Sequence, residues 1–292
     1  MIDPSERFWI CGEQVRGPIH IGQVIDWDQR RWYSITGPVT YIPPEEDVDI
    51  DVRYVGQLGQ TVHSITVDDN GLLHSQLTEE DRLGPTVDLV SYTDDSGAKK
   101  LAVFKYYMIY QRRSWIWKEL HLNMALPRHP NIVPLDRVVL SGAGSRLIDF
   151  TTPYIPNGTI EENKDRVFKL VWLQQLLGVV DYLNLELGVI HQDIAPRNLL
   201  VNPETDNLLL FDSDCAARIG QPGCFPERND VKGVVFTLYE IISGDDHFRS
   251  EGPRQQDPNS VLSLENWPVN IQLDSHVGEF RKLLEDWIQP RK

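Results

Sequence analysis

Cysteine is scarce in this chain. There are three, Cys11, Cys215 and Cys224, an odd number with no Cys-x-x-Cys pair. That argues against a disulfide framework or a cysteine-built zinc site and fits a reducing compartment, so a cytoplasmic or nuclear location is expected. Basic residues are also short: 28 Lys and Arg stand against 43 Asp and Glu, a net charge of −15. Nucleic acids and anionic membranes are bound by basic surfaces, so neither is an expected partner. A nucleotide ligand, which needs only one local positive site, is not excluded. No apolar run approaches the length that crosses a bilayer. The opening Met1-Ile2-Asp3-Pro4-Ser5-Glu6-Arg7 lacks the basic and apolar blocks of a secretory signal, and Pro290-Arg291-Lys292 carries no lipidation signal. What is present is ordinary for a soluble globular protein: 41% hydrophobic and 24% charged over 292 residues, enough for two lobes or two small domains.

Residues 1–75 read as strands and turns. Phe8-Trp9-Ile10-Cys11, Trp32-Tyr33-Ser34-Ile35, Val39-Thr40-Tyr41-Ile42 and the run 62–67 are β-branched or aromatic. Gly17-Pro18 and Gly37-Pro38 punctuate them, and Asp69-Asn70-Gly71 suits a hairpin turn. The acidic run 43–51 reads as a solvated loop leading into a strand, ahead of a metal site. Trp9, Trp27 and Trp32 suit core or interface packing more readily than a ligand groove.

Further on, the spacing predicts strands at 87–92 and 101–107. A helix over 111–126 follows, with Trp115, Leu120, Leu122 and Met124 as its apolar members and Pro127 as its stop. Strands are expected at 137–140 and 145–151. The clearest helix spans 165–187. Val167, Leu170, Val171, Leu173, Leu176, Leu177, Val180, Leu183 and Leu187 recur every three or four residues, and Gly188 ends it. Further helices are expected at 230–242, stopped by Ser243-Gly244, and at about 275–288, with a polar loop over 250–259.

One stretch organises the rest. Val189-Ile190 and Leu199-Leu200-Val201 flank a polar loop holding His191, Asp193 and Asn198, and the apolar run Leu208-Leu209-Leu210-Phe211 delivers Asp212. His-x-Asp, four residues, Asn, then Asp one strand later resembles the catalytic core of the protein kinase superfamily, in a divergent, fungal-type form. The resemblance covers roughly residues 85–245, about half of the chain. Ala102-Val103-Phe104-Lys105 is similar to the strand whose lysine grounds the nucleotide's phosphates. Glu119 is the only acidic residue between Lys105 and Asp136, so it is the local candidate to fix that lysine. His129-Pro130-Asn131-Ile132-Val133 looks like the segment that leads into the family's fourth strand. Thr151-Thr152-Pro153-Tyr154-Ile155 looks like the hinge that holds adenine through backbone groups. Pro153 keeps its carbonyl and Ile155 keeps both groups, so Thr152, Pro153 and Ile155 remain usable.

The resemblance implies an α+β, bilobal protein-kinase-like fold with an added N-terminal β-rich region. Residues 1–75 would be the extension, 76–155 the N-lobe and 156–292 a reduced C-lobe. It implies ATP and Mg2+ as cofactors. Asp193, Lys105, Glu119 and Arg197 would be the catalytic set, with Lys105, Thr152, Pro153, Ile155 and Gly84 at the nucleotide and Asn198 and Asp212 at the metal. His191 would be structural, and Asp230 would brace the loop.

Three departures qualify this. Residues 78–86 hold one glycine, Gly84, and three consecutive acids where the family carries a Gly-rich loop; such acids repel phosphates unless they point away. The family's Asp-Phe-Gly is here Asp212-Ser213-Asp214, which leaves Asp214 as an alternative ligand. Only 17 residues separate Asp212 from Asp230, with Ser213 their sole hydroxyl, and the usual Arg before the catalytic Asp is Gln192. A phosphorylation switch is therefore not expected. Ala195 stands where serine/threonine kinases carry a Lys, and Arg197 either replaces that cation or braces the loop. The short segment also removes much of a peptide shelf. The leading expectation is a phosphotransferase acting on a hydroxyl of a protein or small molecule. A pseudokinase acting as a nucleotide-binding or scaffolding module and a small-molecule kinase are the alternatives.

Overall fold

The computed structural model describes residues 8–16, 19–26, 31–38, 50–53, 60–61, 71–84, 86–106, 113–140 and 146–291. The strands expected at 39–42 and 62–67, the Asp69-Asn70 turn, Trp27 and most of the acidic run lie outside these residues. The chain divides into two compact units, Met1–Leu120 with Leu135–Tyr154, and His121–Pro134 with Ile155–Lys292.

The first unit is built on sheets. Strands β1 (Phe8–Arg16), β2 (Ile19–Asp26), β3 (Arg31–Pro38) and β4 (Ile50–Arg53) form an antiparallel sheet in sequential order. Gly37-Pro38, expected as a turn, instead ends β3 opposite His20 and Ile19. Among the described residues β4 pairs with Trp32 to Ile35 alone, so Pro38 has a described strand neighbour on one side, a position that tolerates proline.

A second sheet holds β5 (Gln60–Thr61), β6 (Gly71–Leu73), β7 (Thr78–Gly84), β8 (Val87–Thr93), β9 (Lys99–Lys105), β10 (Arg137–Leu140) and β11 (Arg146–Pro153). Its order is β6-β10-β11-β9-β8-β7, with β5 pairing β11. Residue alternation sets its faces: Ala102, Phe104 and Tyr106 are buried, while Val103 and Lys105 lie half-buried on the other face. The expected strand 101–107 thus starts two residues early, at Lys99. Strand β11 runs into the expected hinge and pairs Pro153 with Ala102, past the last β10 partner at Thr151. Helix α1 (Arg113–Ala125) follows β9; Leu120 packs with Val138 and Phe150, whereas Met124 is exposed.

The second unit is mainly helical. Helix α2 (Leu170–Asp181) buries Trp172, Leu173, Leu176, Leu177, Val179 and Val180 and continues into a π-helical turn (Tyr182–Glu186) before Gly188, whose φ is 63°. The helix therefore starts five residues later than the periodicity predicts, and Val167 and Val171 are exposed. The reason is tertiary. Phe168 is pinned in an extended conformation, donating to Gln272 O at 2.9 Å and accepting from Asp274 N at 3.2 Å. Asp274 Oδ1 then accepts from Leu170 N at 2.9 Å, capping the helix from 104 residues away.

Two short antiparallel pairs hold the polar loop of this unit: β12 (Val189–Ile190) with β15 (Ala217–Arg218), and β13 (Leu199–Val201) with β14 (Leu208–Leu210). Helix α3 (Asp230–Ser243) is capped by Asn229, whose Oδ1 accepts from Val231 N and Lys232 N, and closed by Gly244 at φ 67°. A short α4 (Asn259–Leu262) precedes α5 (Val277–Ile288), whose Phe280 and Leu284 are fully buried. The core runs from Phe168 and Trp172 through Leu208 and Leu238 to Phe280. No helix among the described residues is long and apolar enough to cross a membrane.

Candidate functional site

The polar loop is built from its anchor outward. Asp230, at the buried start of α3, accepts from His191 N at 2.8 Å and Gln192 N at 2.7 Å, and from Asn184 Nδ2 at 2.8 Å. This carboxylate fixes the backbone just before Asp193. The ring of His191 is buried, with Nε2 3.1 Å from Phe211 O and Nδ1 without a partner. The ring ties the loop to the end of β14, which is a structural task.

Asp193 is held on both oxygens. Arg197 Nη2 donates to Oδ1 at 2.6 Å, and Asn198 Nδ2 donates to Oδ2 at 2.7 Å and to the Asp193 carbonyl at 2.8 Å. Asn198 is buried, and with its amide hydrogens committed to Asp193 its Oδ1 is left as an oxygen donor. Its carbonyl accepts from Phe211 N at 3.2 Å, one step beyond the Leu199–Leu210 pair, so Asp212 directly follows a residue tied to Asn198. Asp212 has φ 62°, a left-handed conformation that a non-glycine residue adopts at a cost. Ser213 Oγ donates to Asn123 Oδ1 at 3.0 Å. Asn131 supports the apolar strand from below: its Nδ2 donates to Leu208 O at 2.8 Å, its carbonyl accepts from Leu210 N, and Val133 N donates to Leu210 O.

The first unit carries the other expected residues. Lys105 Nζ lies 3.0 Å from Glu119 Oε1, and Glu119 is buried. Gly84 ends β7, where a Cβ would meet nothing within 4 Å. The three acids of β7 are exposed; Glu79 and Glu80 pair with cations of their own sheet, and Asp81 accepts from Arg82 N at 2.8 Å. Glu80 accepts from Ser91 Oγ at 2.5 Å and pairs with Lys99 at 2.7 Å; these contacts hold its carboxyl below the usual range. Glu79 pairs with Arg82 at 3.6 Å, and Arg82 with the buried Asp88 at 3.3 Å. Thr152 faces Val103 in register and Pro153 faces Ala102. Ile155, just beyond β11, lies half-buried.

An oxygen-ligated divalent cation fits this donor set. Asn198 and Asp212 offer hard oxygens. Among the described residues no three His, Cys, Asp or Glu side chains gather to cage a metal. A cation held by two protein oxygens and completed by phosphate and water is the habit of magnesium, not of zinc.

Sequence comparison gives the same direction as this loop. No family model matches the chain. It is 36% identical over 157 residues to CBL-interacting serine/threonine-protein kinase 16 of Arabidopsis thaliana, covering 51% of this chain and 32% of that protein. It is 24% identical over 212 residues to serine/threonine-protein kinase CHK1 of Saccharomyces cerevisiae, covering 58% and 38%. A shorter match, 40% over 81 residues, reaches ephrin type-A receptor 8 of Mus musculus, covering 25% and 8%. These matches support this chain's membership of the protein kinase superfamily. Its α+β architecture is the bilobal kinase-like fold. The chain spans about a third of the length of the first two of these kinases.

Two features of this site carry no motif signal. One is Gln192, legible only as the loss of an arginine; its side chain makes three hydrogen bonds. The other is Arg249, in the short 3-10 helix His247–Ser250 that follows α3. Its Nη2 donates to Ile194 O at 3.2 Å and to Thr237 Oγ1 at 2.9 Å, and its Nε to Glu240 Oε2 at 2.9 Å. Thr237 Oγ1 also donates to Ile194 O at 2.9 Å, so two donors from outside the loop hold the carbonyl next to Asp193. A lone arginine in a short helical turn has no spacing rule that would mark it.

Proposed function

We propose that this chain is an ATP- and magnesium-dependent phosphotransferase acting on a hydroxyl group, working without phosphorylation of its activation segment. The observation that carries the reading is the state of Asp193: its carboxylate is aimed by Arg197 and Asn198, and its loop is anchored by Asp230. In this reading Asp193 orients the hydroxyl and takes its proton as the oxygen attacks. Arg197 stands beside that carboxylate to meet charge on the transferring group. Lys105, fixed by Glu119, grounds the phosphates, and Thr152, Pro153 and Ile155 receive the adenine through backbone groups. Asn198 and Asp212 would hold magnesium, which when bound neutralises phosphate charge. The ion pairs of Glu79 with Arg82 and of Glu80 with Lys99 offset part of the electrostatic objection to phosphates near β7. In this reading the protein works inside the cell, in cytoplasm or nucleus, on a protein or small-molecule substrate.

Asp193→Asn tests the mechanism. Transfer from ATP should fall about 10²–10⁴-fold, the usual contribution of a positioned general base. Unchanged transfer removes Asp193 from the role. A pseudokinase scaffold is the second reading, favoured by Asp212-Ser213-Asp214 and by the single glycine of β7. Thermal shift with ATP separates the two. Magnesium-dependent stabilisation supports the enzyme, and no shift at millimolar ATP supports the scaffold.

A further inference from the structure

Gln192 immediately precedes Asp193 and is buried, with φ 68°. Such a backbone persists in a bulky residue only when its surroundings hold it. Here they do so from both ends. The backbone N–H is spent on Asp230. The side-chain amide is spent on the segment that joins Asp212 to Asp230: Nε2 donates to Cys215 O at 2.5 Å and to Gly223 O at 2.7 Å, and Oε1 accepts from Phe225 N at 2.6 Å. Two carbonyls at one end and an N–H at the other also settle which end of the amide is nitrogen.

We infer that Gln192 is a positioning residue: its amide clasps the start and end of the 213–228 segment to the loop of Asp193, holding both in working register with no phosphate needed. The chemistry selects this side chain. An ionised Glu has no hydrogen to give Cys215 and Gly223. An Arg has no acceptor for Phe225 N. An Asn is one methylene short. A neutral amide matches two backbone carbonyls and one backbone N–H, as a neighbouring strand would. Phosphate would add nothing, because the clasp is already closed and the segment's only hydroxyl, Ser213 Oγ, is itself bonded to Asn123. Charged groups near the clasp are Asp230 at the backbone, Asp193 next to Gln192, Asp214 next to Cys215, and Arg228, which reaches Cys215 Sγ at 3.6 Å.

The kinetic arm of the test rests on the phosphotransferase reading; the exchange arm does not. Gln192→Leu removes all three side-chain bonds, and Gln192→Glu keeps size and acceptor but loses the donors. In the full chain, amide exchange over 213–228 should quicken by about tenfold or more in both, what the loss of one or more hydrogen bonds allows. Phe225 N–H should respond most in the Leu variant. Turnover should fall by at least about tenfold while KM for ATP stays within about twofold, the signature of a mispositioned loop and not of lost binding. Phosphatase treatment of the wild type should change neither. Unchanged exchange or turnover in a folded variant overturns the clasp. So does activity lost on phosphatase treatment. Failure of both variants to fold overturns the positioning role and makes Gln192 a folding determinant. A wild type that transfers no phosphate sinks the enzyme reading alone, because exchange still decides the clasp.

Discussion

Replacing Arg249 by Met is the sharpest test of how the second unit supports Asp193. The substitution keeps the aliphatic stem and removes the guanidinium. It strands the Glu240 carboxylate, takes one donor from Ile194 O and leaves Thr237 Oγ1 one contact fewer. The side chains of Arg249 and Glu240 are 22% and 13% exposed, so the pair is mostly but not wholly dry. Breaking a fully buried pair costs about 3–5 kcal/mol; with some water reaching the arginine, about 2–3 kcal/mol is expected. That lowers Tm by about 5–10 °C for a unit of this size. The pH dependence gives the mechanism away. Burial already pushes the Glu240 carboxyl above the ordinary range, against Arg249 and with help from Glu161 and Asp246. Without Arg249 it rises further. A carboxyl whose folded pKa exceeds its unfolded value destabilises once ionised, and that cost fades as pH falls toward the unfolded value. Urea unfolding of wild type, Arg249→Met, Glu240→Gln and the double variant should therefore show the largest Arg249→Met deficit at pH 7.5 and a smaller one at pH 5. The double variant should be more stable than Arg249→Met alone at pH 7.5. A deficit below about 0.5 kcal/mol, the level of an ordinary surface change, refutes the reasoning. A double variant no better than the single does the same.

Other expectations follow from the same geometry. Asp274→Ala removes the acceptor of Leu170 N and should cost about 1 kcal/mol in urea unfolding, as helix N-caps do; an unchanged midpoint would refute that role. Burial pushes the Cys215 thiol up to about 12, with Asp214 adding to the effect. Its alkylation by iodoacetamide at neutral pH should be about 10³-fold slower in the native chain than in urea, because only the thiolate reacts; rates within tenfold of each other would contradict this. Burial lowers the pKa of His129, which stacks on Tyr182 at 4.6 Å, against the pull of Glu186. A depressed histidine gives stability that is present above its unfolded pKa and lost as pH falls through it, so His129→Gln should flatten the stability profile between pH 7 and 5. Lys105→Met should abolish the magnesium-dependent thermal shift with ATP while leaving the fold intact by circular dichroism; a shift of wild-type size would remove Lys105 from the nucleotide site.

Much of the loop was readable because its chemistry is local. Asp193, Arg197 and Asn198 fall within six residues of one another, so one turn of chain, at Pro196–Asn198, suffices to bring their side chains together. Glu119 was readable by elimination, as the one acid available to Lys105, and the pair forms at 3.0 Å. Strand β7 was not readable as a strand. Its Thr-Glu-Glu-Asp-Arg-Leu-Gly is nearly all exposed and poor in β-formers, and it is held as an edge by pairing with β8 and by ions from β8 and β9. Its acids looked repulsive to phosphate because a sequence does not say where Lys99 and Ser91 will stand.

The sequence by itself determined the kinase-like class, the helices α3 and α5 to within a few residues, and the identity of the groups around Asp193. These depend on periodicity and short spacing, which neighbours along the chain settle among themselves. The tertiary structure alone decided where α2 begins, which way Glu80 turns, and what Gln192 and Arg249 do. In each case the deciding partner lies far along the chain: Asp274 for Leu170, Lys99 for Glu80, Cys215 to Phe225 for Gln192, Ile194 for Arg249. A buried polar group must find its hydrogen bonds wherever the folded chain supplies them, and no local pattern records that supplier.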